Sequence, residues 1–174
     1  MSNNEKHTNA NVNARESGKA EDEYFQFRLE KINKLQEAGL MAYPDRFEKG
    51  LTCGEAAEAK EGDEGIRCAG RIVSMRKMGK LMFAHIQDVT GKIQLMLRRD
   101  GIGADNFKLA KAVLDIGDFV GVEGNMFVTR TGELTIDVTE YKFLSKALRP
   151  LPEKWHGLTD TESIFRKRYL DLVM

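Results

Sequence analysis

Residues able to do covalent or metal chemistry are few in this chain of 174 residues, and they do not group. The three histidines, His7, His85 and His156, are scattered, and no nucleophile, base and orienting group can be assembled around them. The phosphate-loop pattern GxxxxGK followed by Ser or Thr and the zinc pattern HExxH are both absent from the sequence. Cys53 and Cys68 stand fifteen positions apart, with no CxxC pair and no histidine at ligand spacing, which excludes a structural zinc site. What remains is the chemistry of a binding surface. Phe83 can stack on a base, and Gln94 can both donate to and accept from base edges. Between Arg71 and Arg99, seven basic residues (Arg71, Arg76, Lys77, Lys80, Lys92, Arg98 and Arg99) face the single acid Asp88. Phosphates favour such a surface, and salt weakens binding that uses it.

The elements that must position these residues are strands. From Gly65 the apolar period becomes two, and five runs follow: Ile66 to Met75, Leu81 to Gln87, Lys92 to Arg98, Phe119 to Thr129, and one opening at Leu134. Ala104 to Leu114 carries Phe107, Ala110, Val113 and Leu114 at helical spacing between the third and fourth runs. Gly70, inside the first run, marks a bend or a close approach. Three strands, a helix and two strands is the order of a five-stranded OB-fold barrel, an all-β core with flanking helices. An SH3-like barrel or a split sandwich would give a similar strand count, and the helix between strands three and four favours OB. If the hairpin at Asp88 to Gly91 closes without a bulge, Met82, Ala84, Ile86, Ile93, Leu95 and Leu97 fill the barrel. Phe83, His85, Gln94 and Met96 then share the outer face. Two readings of Phe83 weigh equally on pattern: a stacking platform, or a ring covered by the N-terminal helix or a loop. The basic run and the outward Gln94 favour the platform.

Composition sets the frame. With 41% hydrophobic and 31% charged residues the chain can support a core, and equal numbers of acids and bases leave no overall field toward nucleic acid or anionic lipid. Two lone cysteines fit a reducing compartment with buried or idle thiols; with no apolar leader core and no run approaching eighteen apolar residues, the chain reads as cytoplasmic without a membrane partner. The expected organisation is a disordered tail over 1–21, a helix and connecting loop over 22–62, the barrel over 63–146, and a linker with the incomplete start of a further domain over 147–174. The first helix carries Phe25, Leu29, Ile32 and Leu35 on an apolar face and Arg28, Lys31 and Lys34 on the other, and should end at Gly39 before Tyr43-Pro44.

The residues also carry a family resemblance. Ala69-Gly70-Arg71-Ile72, Arg76 through Lys80 (RKMGK), Phe83, Gln87-Asp88 and Gly91 through Gln94 resemble the anticodon-binding domain of lysyl-tRNA synthetases. Thr131 through Leu134, Lys146 through Lys154, His156-Gly157-Leu158 and Arg166 through Leu172 (RKRYLDL) resemble that family's path from barrel to catalytic domain. The resemblance runs from Tyr24 to Met174, and the LRPLPEKWHGL and RYLDL blocks set the lysyl enzyme apart from aspartyl and asparaginyl relatives. It implies a uridine-rich anticodon as ligand. Phe83 would stack on the middle base, Gln94 and Arg76 would bond its edges or a neighbouring phosphate, and Glu133 would accept from uridine N3–H. A carboxylate only accepts, so it rejects cytosine's unprotonated N3. Arg28, Lys31 and Lys80 would touch the tRNA stem or backbone.

The same resemblance implies ATP and Mg2+ as needs of a parent enzyme that joins lysine to tRNA, and a homodimer as its assembly. This chain ends before the family's catalytic motifs, so it is expected to be a fragment that needs no cofactor and does not activate lysine. Phe27-Arg28-Leu29-Glu30 fits the short FRxE pattern of one such motif but precedes the barrel and is read as coincidence. The other function classes are a standalone OB module for single-stranded RNA or DNA and a protein-interaction barrel.

Overall fold

The computed structural model describes residues 22–44 and 46–149. The expected tail over 1–21 and the segment from 150 onward, with His156 and the RKRYLDL block, lie outside the described residues. The first helix, α1, covers 22–37. It ends in a Schellman motif: Gly39 takes φ +73, its N–H donates to Gln36 O at 2.9 Å, and Leu40 N–H donates to Leu35 O at 2.9 Å.

The buried stripe of α1 is not the expected one. Ile32 and Leu35 are buried as read, but Leu29 is exposed, and Arg28 and Lys31, expected on the wet side, are only 7% and 6% exposed. Positions 28, 31, 32 and 35 form one stripe, and the two basic side chains are tolerated in it because each finds partners across the chain. Lys31 Nζ meets Asp115 Oδ1 at 2.6 Å. Arg28 donates to the carbonyls of Ile116 at 3.1 Å and of Ala147. These donors hold the helix to the barrel, which competes with the contact to a tRNA stem expected of Arg28 and Lys31.

The barrel has five strands: β1 Ile66–Met78, β2 Leu81–Gln87, β3 Lys92–Arg98, β4 Phe119–Val128 and β5 Leu134–Ser145. They close in the order β1-β2-β3-β5-β4, with β3 and β5 parallel and the other pairs antiparallel. This is the OB arrangement expected from the element order. The β2–β3 hairpin closes in the unbulged register, Met82 opposite Leu97, Ala84 opposite Leu95 and Ile86 opposite Ile93, and all six side chains are buried. Gly70 is a close approach: a Cβ there would lie 2.8 Å from Gln87 O across the β1–β2 pair.

Three further helices cover the barrel. The short α2, Cys53–Ala57, escaped the periodicity reading because five residues carry no period, although Thr52-x-x-Glu55 is a capping box. Thr52 Oγ1 accepts from Glu55 N–H at 3.2 Å, and Glu55 Oε2 accepts from Thr52 N–H at 2.7 Å. The helix expected over Ala104 to Leu114 is α4, Ala104–Val113, and an unexpected one-turn α3, Arg99–Ile102, precedes it, with Gly103 at φ +87, ψ 151 breaking the turn between them. Phe107, Ala110 and Val113 are buried as expected. Cys53 and Cys68 are free and buried with Sγ atoms 3.5 Å apart. The hydrogen bond to Cys68 and burial push the Cys53 thiol up, which keeps it protonated and inert.

Asp88 fastens the hairpin turn to α2. Its Oδ1 accepts from Thr90 N–H at 2.8 Å and from the Thr90 hydroxyl at 2.5 Å, and its Oδ2 accepts from Cys53 N–H at 3.0 Å. Burial pushes this carboxyl up, but these bonds outweigh it and hold the group at about 2, below its ordinary 3.8. A lowered carboxyl stabilises the fold above the ordinary value and loses that contribution as pH falls through the folded one. In denaturant titrations, therefore, wild type should exceed Asp88→Asn in midpoint by a constant margin above 3.8, and the margin should close as pH falls through about 2. Parallel pH profiles would contradict this.

Candidate nucleic-acid interface

A one-residue bulge builds the outer face. β1 pairs Ile72 with Ile86 but Ser74 with His85, which leaves Val73 as the extra residue. Before the bulge the even positions Ile66, Cys68 and Ile72 point inward; after it Met75 turns toward the core, and Ser74 and Arg76 turn outward. Two rows of side chains result. One crosses the sheet as Arg76, Phe83, Met96 and Asp137, and the other as Ser74, His85, Gln94 and Thr135. Phe83 is half-buried, so its ring is supported by the sheet while part of it stays open.

The second row is joined by hydrogen bonds from end to end through a residue beyond it. Ser74 Oγ lies 2.9 Å from His85 Nδ1, and His85 Nε2 lies 2.7 Å from Glu133 Oε1. Gln94 Nε2 donates to Glu133 Oε2 at 2.6 Å, and the Thr135 hydroxyl donates to Gln94 Oε1 at 2.8 Å. Glu133 reaches this point from the turn before β5, where its N–H donates to Thr129 Oγ1 at 3.1 Å and its carbonyl accepts from Thr129 N–H at 3.0 Å. Gly132, at φ +83, allows that turn.

The fold thus brings Arg76, Phe83, Gln94 and Glu133 to one face, with acceptors and donors beside an aromatic platform. His85, which the sequence put on the outer face without a role, sits among them. Its signal was parity with Phe83, but its partner Glu133 lies 48 residues away.

The basic run divides once folded. Arg71 donates to Gly117 O at 3.2 Å and lies over the Phe119 ring, and burial lowers its pKa. Arg98 pairs with Asp137, its Nε 3.0 Å from Oδ1. Lys77 Nζ donates to Lys111 O at 2.7 Å and Leu114 O at 3.2 Å, and burial lowers its pKa, with Lys31 next among the causes. Arg76, Lys80, Lys92 and Arg99 remain exposed, and no described residue engages the Arg76 guanidinium. Arg76 is therefore the cation placed in the same row as Phe83.

A family model for tRNA anti-codon domains, described as an OB-fold nucleic acid binding domain, matches residues 66–144. The chain is similar to the lysine-tRNA ligase of Thermotoga maritima, 46% identical over 160 residues, which is 87% of this chain and 32% of that protein. It is similar also to the lysine-tRNA ligase of Streptococcus mutans, 48% identical over 155 residues covering 84% of this chain and 31% of that protein. With that of Aquifex aeolicus it is 57% identical over 108 residues, 62% of this chain and 18% of that protein. The chain spans about a third of the length of the first two of these relatives. A closed barrel in OB order, an aromatic and carboxylate face on its outside, and these matches over the same residues place the chain in the lysyl-tRNA synthetase family, as the part that carries the anticodon-binding OB domain.

Proposed function

We propose that this face reads the uridine-rich lysine anticodon, with Phe83 stacking on the middle base, Glu133 accepting from its N3–H, Gln94 bonding its edge and Arg76 meeting a neighbouring phosphate. The observation that carries the reading is the Glu133 carboxylate, held by His85 and Gln94 on the face that presents Phe83. Uracil offers a donor at N3 where cytosine offers an acceptor, and an acceptor-only group discriminates between them. The exposure of Lys80 at the β1–β2 turn supports a contact with tRNA backbone in this reading.

Joining lysine to tRNA with ATP and Mg2+, in the cytoplasm and as a homodimer, belongs in this reading to a full-length protein. A groove of about 380 Å3 among the described residues is bordered by Glu48, Glu123 and Glu140 against Arg46, Arg67 and Lys142, so its charges balance and it offers a triphosphate no net attraction. No described helix is long and apolar enough to cross a membrane.

Replacing Glu133 by Gln tests the specificity. The amide can donate as well as accept, so the variant should bind a stem-loop with a UUU anticodon nearly as well as wild type and gain on one with C in the middle. The preference between them should narrow by roughly tenfold, the value of one charge-assisted hydrogen bond. An unchanged ratio between the two loops would contradict the assignment of Glu133.

A further inference from the structure

The geometry points to His85 as a positioning residue, which fixes the Glu133 carboxylate in the orientation that reads the middle base; this inference rests on the anticodon reading above. Glu133 is 47% exposed, at the end of a turn, where a free glutamate samples several rotamers. An acceptor that must first be ordered loses affinity and discrimination, and one already held does not. Two donors hold this carboxylate, one on each oxygen: His85 Nε2 on Oε1 at 2.7 Å and Gln94 Nε2 on Oε2 at 2.6 Å.

The imidazole is itself oriented. A carboxylate accepts only, so Nε2 carries the hydrogen, and in the neutral ring Nδ1 then accepts from the Ser74 hydroxyl at 2.9 Å. Ser74 faces the ring only because the Val73 bulge reverses the parity of β1. The bulge, the serine, the imidazole and the carboxylate thus form one chain of support, and His85 acts through Glu133 without itself contacting the base. Stability does not account for the pair. An exposed contact of this kind contributes little to folding even when both partners are charged, and Glu133 is about half open to water.

Glutamine places its amide nitrogen near the position of imidazole Nε2, and asparagine near that of Nδ1. The 174-residue chain is therefore compared as wild type, His85→Ala, His85→Gln, His85→Asn, Glu133→Gln and the His85→Ala/Glu133→Gln double variant. Each is titrated with stem-loops bearing UUU and UCU anticodons at one salt concentration, after circular dichroism confirms that the barrel is intact. His85→Ala and His85→Asn should narrow the preference for UUU by roughly fivefold, His85→Gln should restore most of it, and the double variant should discriminate no worse than Glu133→Gln alone. A wild-type preference that survives in His85→Ala, or losses that add fully in the double variant, overturns the role of His85 and leaves the anticodon reading standing. No preference in wild type overturns both. A readout without RNA is the imidazole nitrogen spectrum by NMR, which should show the Nε2–H tautomer; an Nδ1–H tautomer overturns the proposal directly.

Discussion

Replacing Lys146 by Met lowers the stability of the barrel by about 3–5 kcal/mol, the cost of breaking a buried ion pair from one side. The Lys146 side chain is 0% exposed, and its ammonium meets Asp115 Oδ2 at 2.6 Å, Asp118 Oδ2 at 2.7 Å and Val113 O at 2.7 Å. Methionine keeps most of the stem and removes the charge. Asp118, also fully buried, is then left with the N–H groups of Ala147 at 3.0 Å and Asp115 at 2.9 Å. Burial already pushes the Asp118 carboxyl up, and the hydrogen bond from Lys146 is the main influence against it, so its removal moves the group further in the same direction. A raised carboxyl favours the fold in acid and loses that advantage as pH rises through the folded value. The deficit of Lys146→Met should accordingly be largest near neutral pH and shrink in mild acid, and Asp118→Asn in the same background should recover part of it. Denaturant titrations at the two pH values check both statements. A variant as stable as wild type near neutrality would mean that the ammonium is not buried between the carboxylates.

The second large effect falls on binding. Phe83→Ala should weaken binding of a UUU stem-loop about 10- to 100-fold, since stacking of one base on an aromatic ring is worth roughly 1–3 kcal/mol. The ring lies on the outer face beside Arg76 and Met96, supported by the sheet and not part of the barrel core. Thermal unfolding of the variant should therefore stay close to wild type, which separates loss of a stacking surface from loss of fold. Full affinity in Phe83→Ala would remove the platform from the account.

How far the sequence could be read depended on where each signal lay. The β2–β3 hairpin was legible because Met82 to Ile86 and Ile93 to Leu97 alternate without interruption and are joined by a turn whose aspartate and glycine are visible. Their parity alone places Phe83 and Gln94 on one face. The bulge was not legible. Val73 extends an apolar run, so nothing in its type announces that the register changes there and carries Ser74 and Arg76 to the same face.

The first helix misled for a different reason. Arginine and lysine at positions 28 and 31 read as wet, and only the distant Asp115, Ile116 and Ala147 supply the partners that permit their burial. The same distance hid the contact between His85 and Glu133. Types and alternation reveal which way a strand faces; they do not reveal which side chain waits across the barrel.

The central claim is that this domain alone discriminates the middle anticodon base, and the most direct measurement is a titration of the 174-residue chain with two stem-loops that differ only there, UUU and UCU, at fixed near-physiological salt. The account predicts clear preference for UUU. Equal affinity for both would contradict it and leave a general single-strand binder, and binding to neither would contradict the claim that the domain suffices by itself.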